Sequence, residues 1–546
     1  MYGNSKYVNI YLEKNFAFEP IGNANFRWGQ PALTISPDGK ILVYVARIQD
    51  NTILIKHSLE SFVSEPIKGT EGAFHPFFSP DCKWIGFFTK KELWKIKVTG
   101  SEAIKIIDVP LGMGADWGPD DRILFSQKEG AELIMVDSDG RNIQKIPTKG
   151  STYFFPDILP GGTHALVCTI TDAIFVMDLS TGEMKRLLDE GIYAKYLNGG
   201  YILFSKDGDV FIAEFDRKKF EIIGQAKSVL DNIRIEALTG VFHIDVSNDG
   251  TLVFSEGKSL MESKFVWKHR SGKEEDVGYE GEVFGHYRLS PDGKKIAVVI
   301  HGRENHIWIY DIEKGVPERL TFNGDNTSCY WSPDNQRIAY RSRIDNQYKI
   351  LLKSVSGNEE IQTLLSSEES MWLNGISPDN NYLIYNKNSN NIYKLNLQSG
   401  NTTLIRETDG PVSLGMISTD GKYFAYTMEK TGQYEVYILD LNKKIKPIQI
   451  TFGGADPVIF SKNTKELFYR NDRRFYLITY SSGPEFDWNT PKLLFEGNYL
   501  NIWGMDFDVS PDGRKFLFLK SVDENFNLYK FNVITNWFSE LKDMFD

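Results

Sequence analysis

Cysteine and histidine are scarce in this chain: its 546 residues include three of the first and eight of the second. Cys82, Cys168 and Cys329 stand far apart, so they make neither a disulfide framework nor a Cys-x-x-Cys metal site. Cys168 and Cys329 fall on expected strands and read as buried free thiols. No His-Glu-x-x-His occurs, and no metal or cofactor is expected. A run of about 18 apolar residues is missing, which excludes a membrane-spanning helix. Basic charge is not in excess: 62 Lys and Arg face 73 Asp and Glu, a net charge of −11 with no basic stripe. Nucleic acid is therefore not an expected partner. Met1 to Asn15 lacks the apolar segment of a signal peptide. No Gly-x-Ser-x-Gly elbow is present, and Glu256-Gly257-Lys258-Ser259 lacks the leading glycine of a phosphate loop.

What the chain has in abundance is one turn signal. Clear copies read Ser36-Pro37-Asp38-Gly39, Ser79-Pro80-Asp81-Cys82, Ser290-Pro291-Asp292-Gly293, Ser332-Pro333-Asp334-Asn335, Ser377-Pro378-Asp379-Asn380 and Ser510-Pro511-Asp512-Gly513. Degenerate copies begin at Gly118, Leu159, Leu197, Ser247, Ser418 and Ser461. Asp38 to Asp512 spans 474 residues over eleven intervals, a period of about 43. That period is one four-stranded blade of a β-propeller. Proline presets φ, aspartate caps a following N–H, and glycine or asparagine takes the positive φ. Apolar runs flank the turn, as in Phe77-Phe78 and Ile41-Leu42-Val43-Tyr44. A third strand follows, as in Ile307-Trp308-Ile309-Tyr310, and a fourth closes the unit, as in Arg319-Leu320-Thr321-Phe322.

Twelve repeats exceed the usual ring of about four to eight blades. The expected fold is all-β, two tandem six-bladed propellers over residues 1–273 and 274–546, with a seven-plus-five split as the alternative. The last repeat reads as three strands, near Met505–Val509, Lys515–Lys520 and Asn527–Val533, and lacks a fourth. Glu275–Tyr279 is placed to donate it, and Asn15–Pro20 to complete the sixth blade, because unpaired edges are a liability. Asn536-Trp537-Phe538-Ser539-Glu540-Leu541 reads as a short helix whose stripe of Trp537, Leu541 and Met544 docks on the second propeller.

Longer stretches carry a family resemblance. Thr70 to Asp81 (TEGAFHPFFSPD), Phe211-Ile212-Ala213-Glu214-Phe215-Asp216 and His306-Ile307-Trp308-Ile309-Tyr310-Asp311 are among them, with Glu466 to Asn471 and Asn536 to Lys542. Over about Pro20 to Leu541 the chain resembles the WD40-like, TolB-like propeller region that follows the kinase domain and membrane span of bacterial serine/threonine kinases. The resemblance implies an extracytoplasmic sensing or protein-binding module. No kinase motif is present, so phosphoryl transfer is not implied. If natively tethered as in those kinases, the chain would be extracytoplasmic; if complete as it stands, cytoplasmic.

Residues near the inner strands are the candidate site. His75, His243 and His286 stand four residues before the turn anchor, where imidazoles can line a channel mouth. Asp116, Asp245 and Asp508 stand two before it, with Arg288 at the equivalent place. Facing carboxylates can perform acid–base chemistry, or simply line a wet channel. The ligand-binding candidates are therefore His75, Asp116, His243, Asp245, His286 and Arg288. Trp117, Trp331 and Trp372 offer a stacking platform or packing between blades. With no catalytic constellation, the expected function is a non-enzymatic sensor or scaffold for a protein, small-molecule or glycan ligand. The alternative is a channel-mouth lyase or hydrolase acting on polysaccharide or peptide.

Overall fold

A computed structural model gives the fold. It describes residues 5–18, 31–48, 51–110, 112–127, 132–148, 153–169, 173–206, 209–230, 233–236, 241–257, 262–302, 304–345, 347–357, 360–430, 432–443, 445–483, 485–502, 505–522 and 530–545. The chain divides into two compact units, Met1–Leu260 with Asp523–Asp546, and Met261–Val522. The structure is all-β, with one α-helix among the described residues, Phe538–Phe545, and one 3-10 turn, Lys14–Phe16.

The turn signal works as its chemistry requires. Ser36 Oγ donates to Asp38 Oδ1 at 2.6 Å and accepts from Ile41 N at 3.0 Å. Gly39 N donates to Ser36 O at 2.8 Å, with Gly39 at φ +70°. The same Ser–Asp bond recurs at Ser79, Ser290, Ser332, Ser377, Ser418 and Ser510, between 2.5 and 2.7 Å. Cys82, Asn335 and Asn380 hold the positive φ without glycine, at 60°, 61° and 58°.

Each turn joins two strands of an antiparallel sheet. In the first unit Leu33–Ile35, Ile41–Ile48, Asn51–Ser58 and Ser64–Pro66 form the first. Like sheets begin at Phe74–Phe78, Gly112–Trp117, Tyr153–Ile158 and Ile192–Leu197. These first strands lie side by side in order, and Ile244–Val246 returns beside Leu33–Ile35. Apolar faces pack between neighbouring sheets, as where Phe77 and Phe88 meet Trp117 and Phe125. Burying each such side chain contributes about 1.5–3 kcal/mol.

A bulge recurs in the first strands. Register shifts between Phe74 and Phe77, Phe154 and Asp157, Ile192 and Lys195, and Thr327 and Tyr330. His75, Phe155, Tyr193 and Ser328 sit there at φ 47°, 48°, 53° and 53°. The extra residue re-aims the side chains that follow it.

Where the chain closes its sheets, the structure departs from the sequence reading. Glu275–Tyr279 does supply an outer strand: it lies within Glu274–Leu289, which pairs with Glu262–His269 and then with Lys295–Ile300. The third strand of that sheet is Glu262–His269, paired along Lys515–Ser521 from Ser263↔Ser521 to His269↔Lys515. The expected strand Asn527–Val533 belongs elsewhere: Lys530–Thr535 lies between Leu252–Phe254 and Lys6–Tyr11 in the first unit, and residues 527–529 lie outside the described residues. Lys6–Tyr11, not Asn15–Pro20, is the outer strand there, and residues 19 and 20 lie outside the described residues.

The tail follows its strand, which corrects both the 273/274 boundary and the placing of the helix. Trp537 and Leu541 pack with Leu197, Ile244, Leu252 and Phe254 of the first unit. Met544 is exposed, and Phe545 completes the stripe against Tyr201 at 5.4 Å. The physical reason is simple. An alternating strand fits any matching edge, and this edge offers Val253↔Val533 with an apolar floor behind it.

Candidate functional site

One repeat position builds the site. Thr34, Asp116, Asp157, Lys195 and Asp245 each stand two residues before a turn anchor, on the first strand of a sheet. In the first unit they line a cavity of about 340 Å3, with His75 and Tyr193 from the bulge position. Proline follows at several rim positions, Pro37, Pro80, Pro119 and Pro160, so the rim backbone is stiff.

Each carboxylate clips its sheet to the next. Asp116 Oδ2 accepts from Ile158 N at 2.7 Å, and Asp157 Oδ2 from Tyr196 N at 2.8 Å. Asp245 Oδ2 accepts from Ile35 N at 2.9 Å and from Thr34 Oγ1 at 2.8 Å. Asp508 does the same in the second unit, accepting from Leu289 N at 2.8 Å. Such bonds at fixed backbone sites set the spacing of the first strands.

Lys195 Nζ donates to Asp245 Oδ1. Burial alone would lower the Lys195 pKa, but Asp245, Tyr193 and Asp157 outweigh it and hold the ammonium charged. Burial, then repulsion from Asp116, pushes the Asp157 carboxyl up to about 8. Asp116 is also raised, chiefly by burial, against the opposing pull of the Ile158 N–H and Lys195. The close acids thus favour retaining a proton. His75 Nε2 lies 3.2 Å from Ala115 N and 3.5 Å from Ala115 O. Nδ1 has no hydrogen-bond partner among the described residues, and burial pushes the pKa down to about 4, so the ring is neutral.

Of the sequence candidates, His75, Asp116 and Asp245 come together at the cavity. His243 does not: it is fully buried, edge-on to Phe18 at 5.2 Å. His286 and Arg288 lie in the second unit, with Arg288 Nε 3.5 Å from Asp508 Oδ2. Asp157 and Lys195 escaped the sequence reading. Their turns, Leu159-Pro160-Gly161-Gly162 and Leu197-Asn198-Gly199-Gly200, are degenerate, and counting two residues back from those anchors would have found both. The tryptophans pack: Trp117 Nε1 donates to Asp121 Oδ1 and Trp331 Nε1 to Arg288 O, while Arg341 stacks on Trp372 at 3.8 Å. Among the described residues no cluster of His, Cys, Asp and Glu is arranged to hold a metal, and no helix is long and apolar enough to cross a membrane.

Antiparallel four-stranded sheets with their first strands side by side define a protein of the β-propeller class. No protein-family model matches the chain. Over 127 residues it is 26% identical to the Tol-Pal system protein TolB of three Helicobacter pylori strains, covering 23% of this chain. The match spans 30% of the length of those curated relatives. Over that stretch the chain is similar to TolB. Among solved structures, one assigned as TolB from Agrobacterium tumefaciens aligns at TM-score 0.39 and 18% identity, over 48% of this chain and 98% of that one. TolB from Acinetobacter baumannii aligns at TM-score 0.35 and 17% identity, over 60% and 79%. The tricorn protease aligns at TM-score 0.32 and 14% identity, over 85% and 49%.

Proposed function

We propose that each unit is a six-bladed propeller and that the protein is a non-enzymatic binding module, a sensor or scaffold. The cavity of the first unit would be its binding face. One observation carries the reading: Asp116, Asp157 and Asp245 each accept a backbone N–H from the neighbouring sheet. Acids committed in this way hold a shape, and the cavity lining includes Lys195, His75 and the second oxygen of Asp157. The mixed charges suit an extended protein segment or a small polar ligand; nucleic acid is not proposed. A relative named for the Tol-Pal system supports a protein partner over a glycan. Calorimetric titration of candidate peptides and glycans tests the reading. Lys195→Met should weaken a true ligand by about tenfold or more, the cost of a lost charged hydrogen bond. Equal affinity in wild type and variant would remove the cavity from the proposal.

A second reading rests on Asp157. Its carboxyl, pushed up to about 8 beside Asp116, can hold a proton at neutral pH and act as a general acid. Turnover of a polysaccharide or peptide, lost in Asp157→Asn with the fold intact, would favour the enzyme.

A further inference from the structure

The residue after each turn anchor stands at the rim of a mouth. In the first unit Pro37, Pro80, Pro119, Pro160, Asn198 and Asn248 hold that position, and all six line the cavity. In the second unit it holds Pro291, Pro333, Pro378, Thr419, Lys462 and Pro511. Five of these side chains are short or closed into a ring. Only Lys462 carries a flexible stem with a charge at its tip.

Lys462 follows the strand Val458–Phe460, yet its partners lie on another sheet. Its Nζ donates to Ser290 O at 3.0 Å and to Leu289 O at 3.3 Å, where Glu274–Leu289 ends. The strand Phe507–Val509 comes between the two: it follows Val458–Phe460 in the chain and lies against Glu274–Leu289. The Lys462 side chain therefore bypasses the last sheet and runs across the mouth. Asn198, at the same place in the first unit, reaches only the next sheet, donating from Nδ2 to Asn248 O at 3.2 Å. A cavity of about 340 Å3 remains inside that rim.

Three charged groups act on the Lys462 ammonium: Asp508 and Asp292 attract it, and Arg288 repels it. With the side chain in place, two cations face two carboxylates. With it withdrawn, Arg288 alone faces both, and Leu289 O and Ser290 O lose this donor. Ser290 O also accepts from Gly293 N at 2.9 Å, so the ammonium uses its second lone pair. The vacated place favours another cation that carries N–H donors. The hold on Lys462 is limited. Its direct partners are neutral carbonyls, and burial pushes its pKa down to about 8 against the pull of both carboxylates. Withdrawal into water returns that desolvation cost.

We propose that Lys462 is an autoinhibitory strap: its ammonium fills a cation subsite at the mouth of the second unit, which a lysine side chain of a protein partner takes over when the strap withdraws. The strap itself shows the pose, a primary ammonium on a flexible stem held by Leu289 O and Ser290 O. The subsite is separate from the cavity of the first unit and stands or falls without it. Thermal melting of the full chain with methylammonium, against tetramethylammonium at the same ionic strength, tests it. Methylammonium supplies N–H donors and tetramethylammonium none. In Lys462→Ala, methylammonium should raise the melting midpoint of the second unit at about tenfold lower concentration than in wild type, where the strap competes. Lys462→Met keeps the stem and removes only the ammonium, so it carries the same comparison if Lys462→Ala fails to fold. A capped peptide with lysine at the centre of four glycines should bind Lys462→Ala about tenfold more tightly than wild type, and its norleucine counterpart should bind neither. A methylammonium response equal in variant and wild type, an equal response to tetramethylammonium, or equal binding of the lysine and norleucine peptides overturns the proposal.

Discussion

The two units fill the same repeat position in opposite ways. Two residues before the turn anchor, the first unit places Thr34, Phe77, Asp116, Asp157, Lys195 and Asp245 around a cavity. The second places Arg288, Tyr330, Gly375, Met416, Ile459 and Asp508 there. Those side chains pack against one another, Arg288 over Tyr330 and against Met416. One feature is common. The last sheet of each unit carries an aspartate, Asp245 or Asp508, that accepts from the first sheet, at Ile35 N or Leu289 N. The fold thus demands an acid where first and last sheets meet and tolerates variety elsewhere. What differs between the centres is the lining: three acids and Lys195 around a cavity in one, Arg288 stacked over Tyr330 and paired with Asp508 in the other.

The sharpest way to break the comparison is to remove the tail. Truncation after residue 529 deletes the strand Lys530–Thr535 and the helix, with buried Phe531, Val533, Ile534, Trp537 and Leu541. At about 1.5–3 kcal/mol each, this loss approaches the stability of a whole domain. Calorimetry should lose the transition of the first unit and keep that of the second. Loss of the second transition instead would sink the assignment of the tail.

Next in size are the ring-closing acids. Asp245→Ala strands the Thr34 hydroxyl, the Ile35 N–H and Lys195, and should destabilise the first unit by about 3–5 kcal/mol. Asp508→Ala should act on the second unit alone. An Asp245→Ala variant that melts like wild type would show that the clip does not hold the first unit together.

The pH dependence separates the units further. Asp157 is raised to about 8 when folded, so the native state binds its proton more tightly than the unfolded chain. The first unit should therefore lose stability as pH rises from about 4 towards 8, and Asp157→Asn should flatten that slope. His75 and His286 are lowered to about 4 and 3, so the unfolded state binds their protons more tightly. Both units should lose stability as pH falls below about 6.5. Melting curves from pH 4 to 8 check both slopes, and a slope between 5 and 8 unaltered in Asp157→Asn would refute the assignment.

The smallest effect concerns one turn. Gly293 sits at φ +73°, and a Cβ there would meet Pro511 Cδ at 2.7 Å. Gly293→Val should cost the second unit more than about 1 kcal/mol. Cys82→Gly, at φ 60° in the matching turn of the first unit, should change stability by less than about 1 kcal/mol. Chemical denaturation of both variants gives the comparison.

The sequence by itself determined the local architecture. Ser-Pro-Asp-Gly specifies a turn within its own few residues, so the repeat and the strands beside each turn were legible. His75, Asp116 and Asp245 could be placed by counting from the anchors, and Asp157 and Lys195 by the same count on degenerate turns. Tertiary structure alone decided which distant segments complete a sheet. Val533 pairs with Val253 and Val8 across hundreds of residues, and no local signal distinguishes that edge from the one Glu262–His269 fills. It also decided that His243 is packed against Phe18 while His75, at the same repeat position, lines a cavity. The reason is physical: turn geometry is set by bonds a few residues apart, whereas strand pairing and burial depend on whichever apolar surface the folded chain brings alongside.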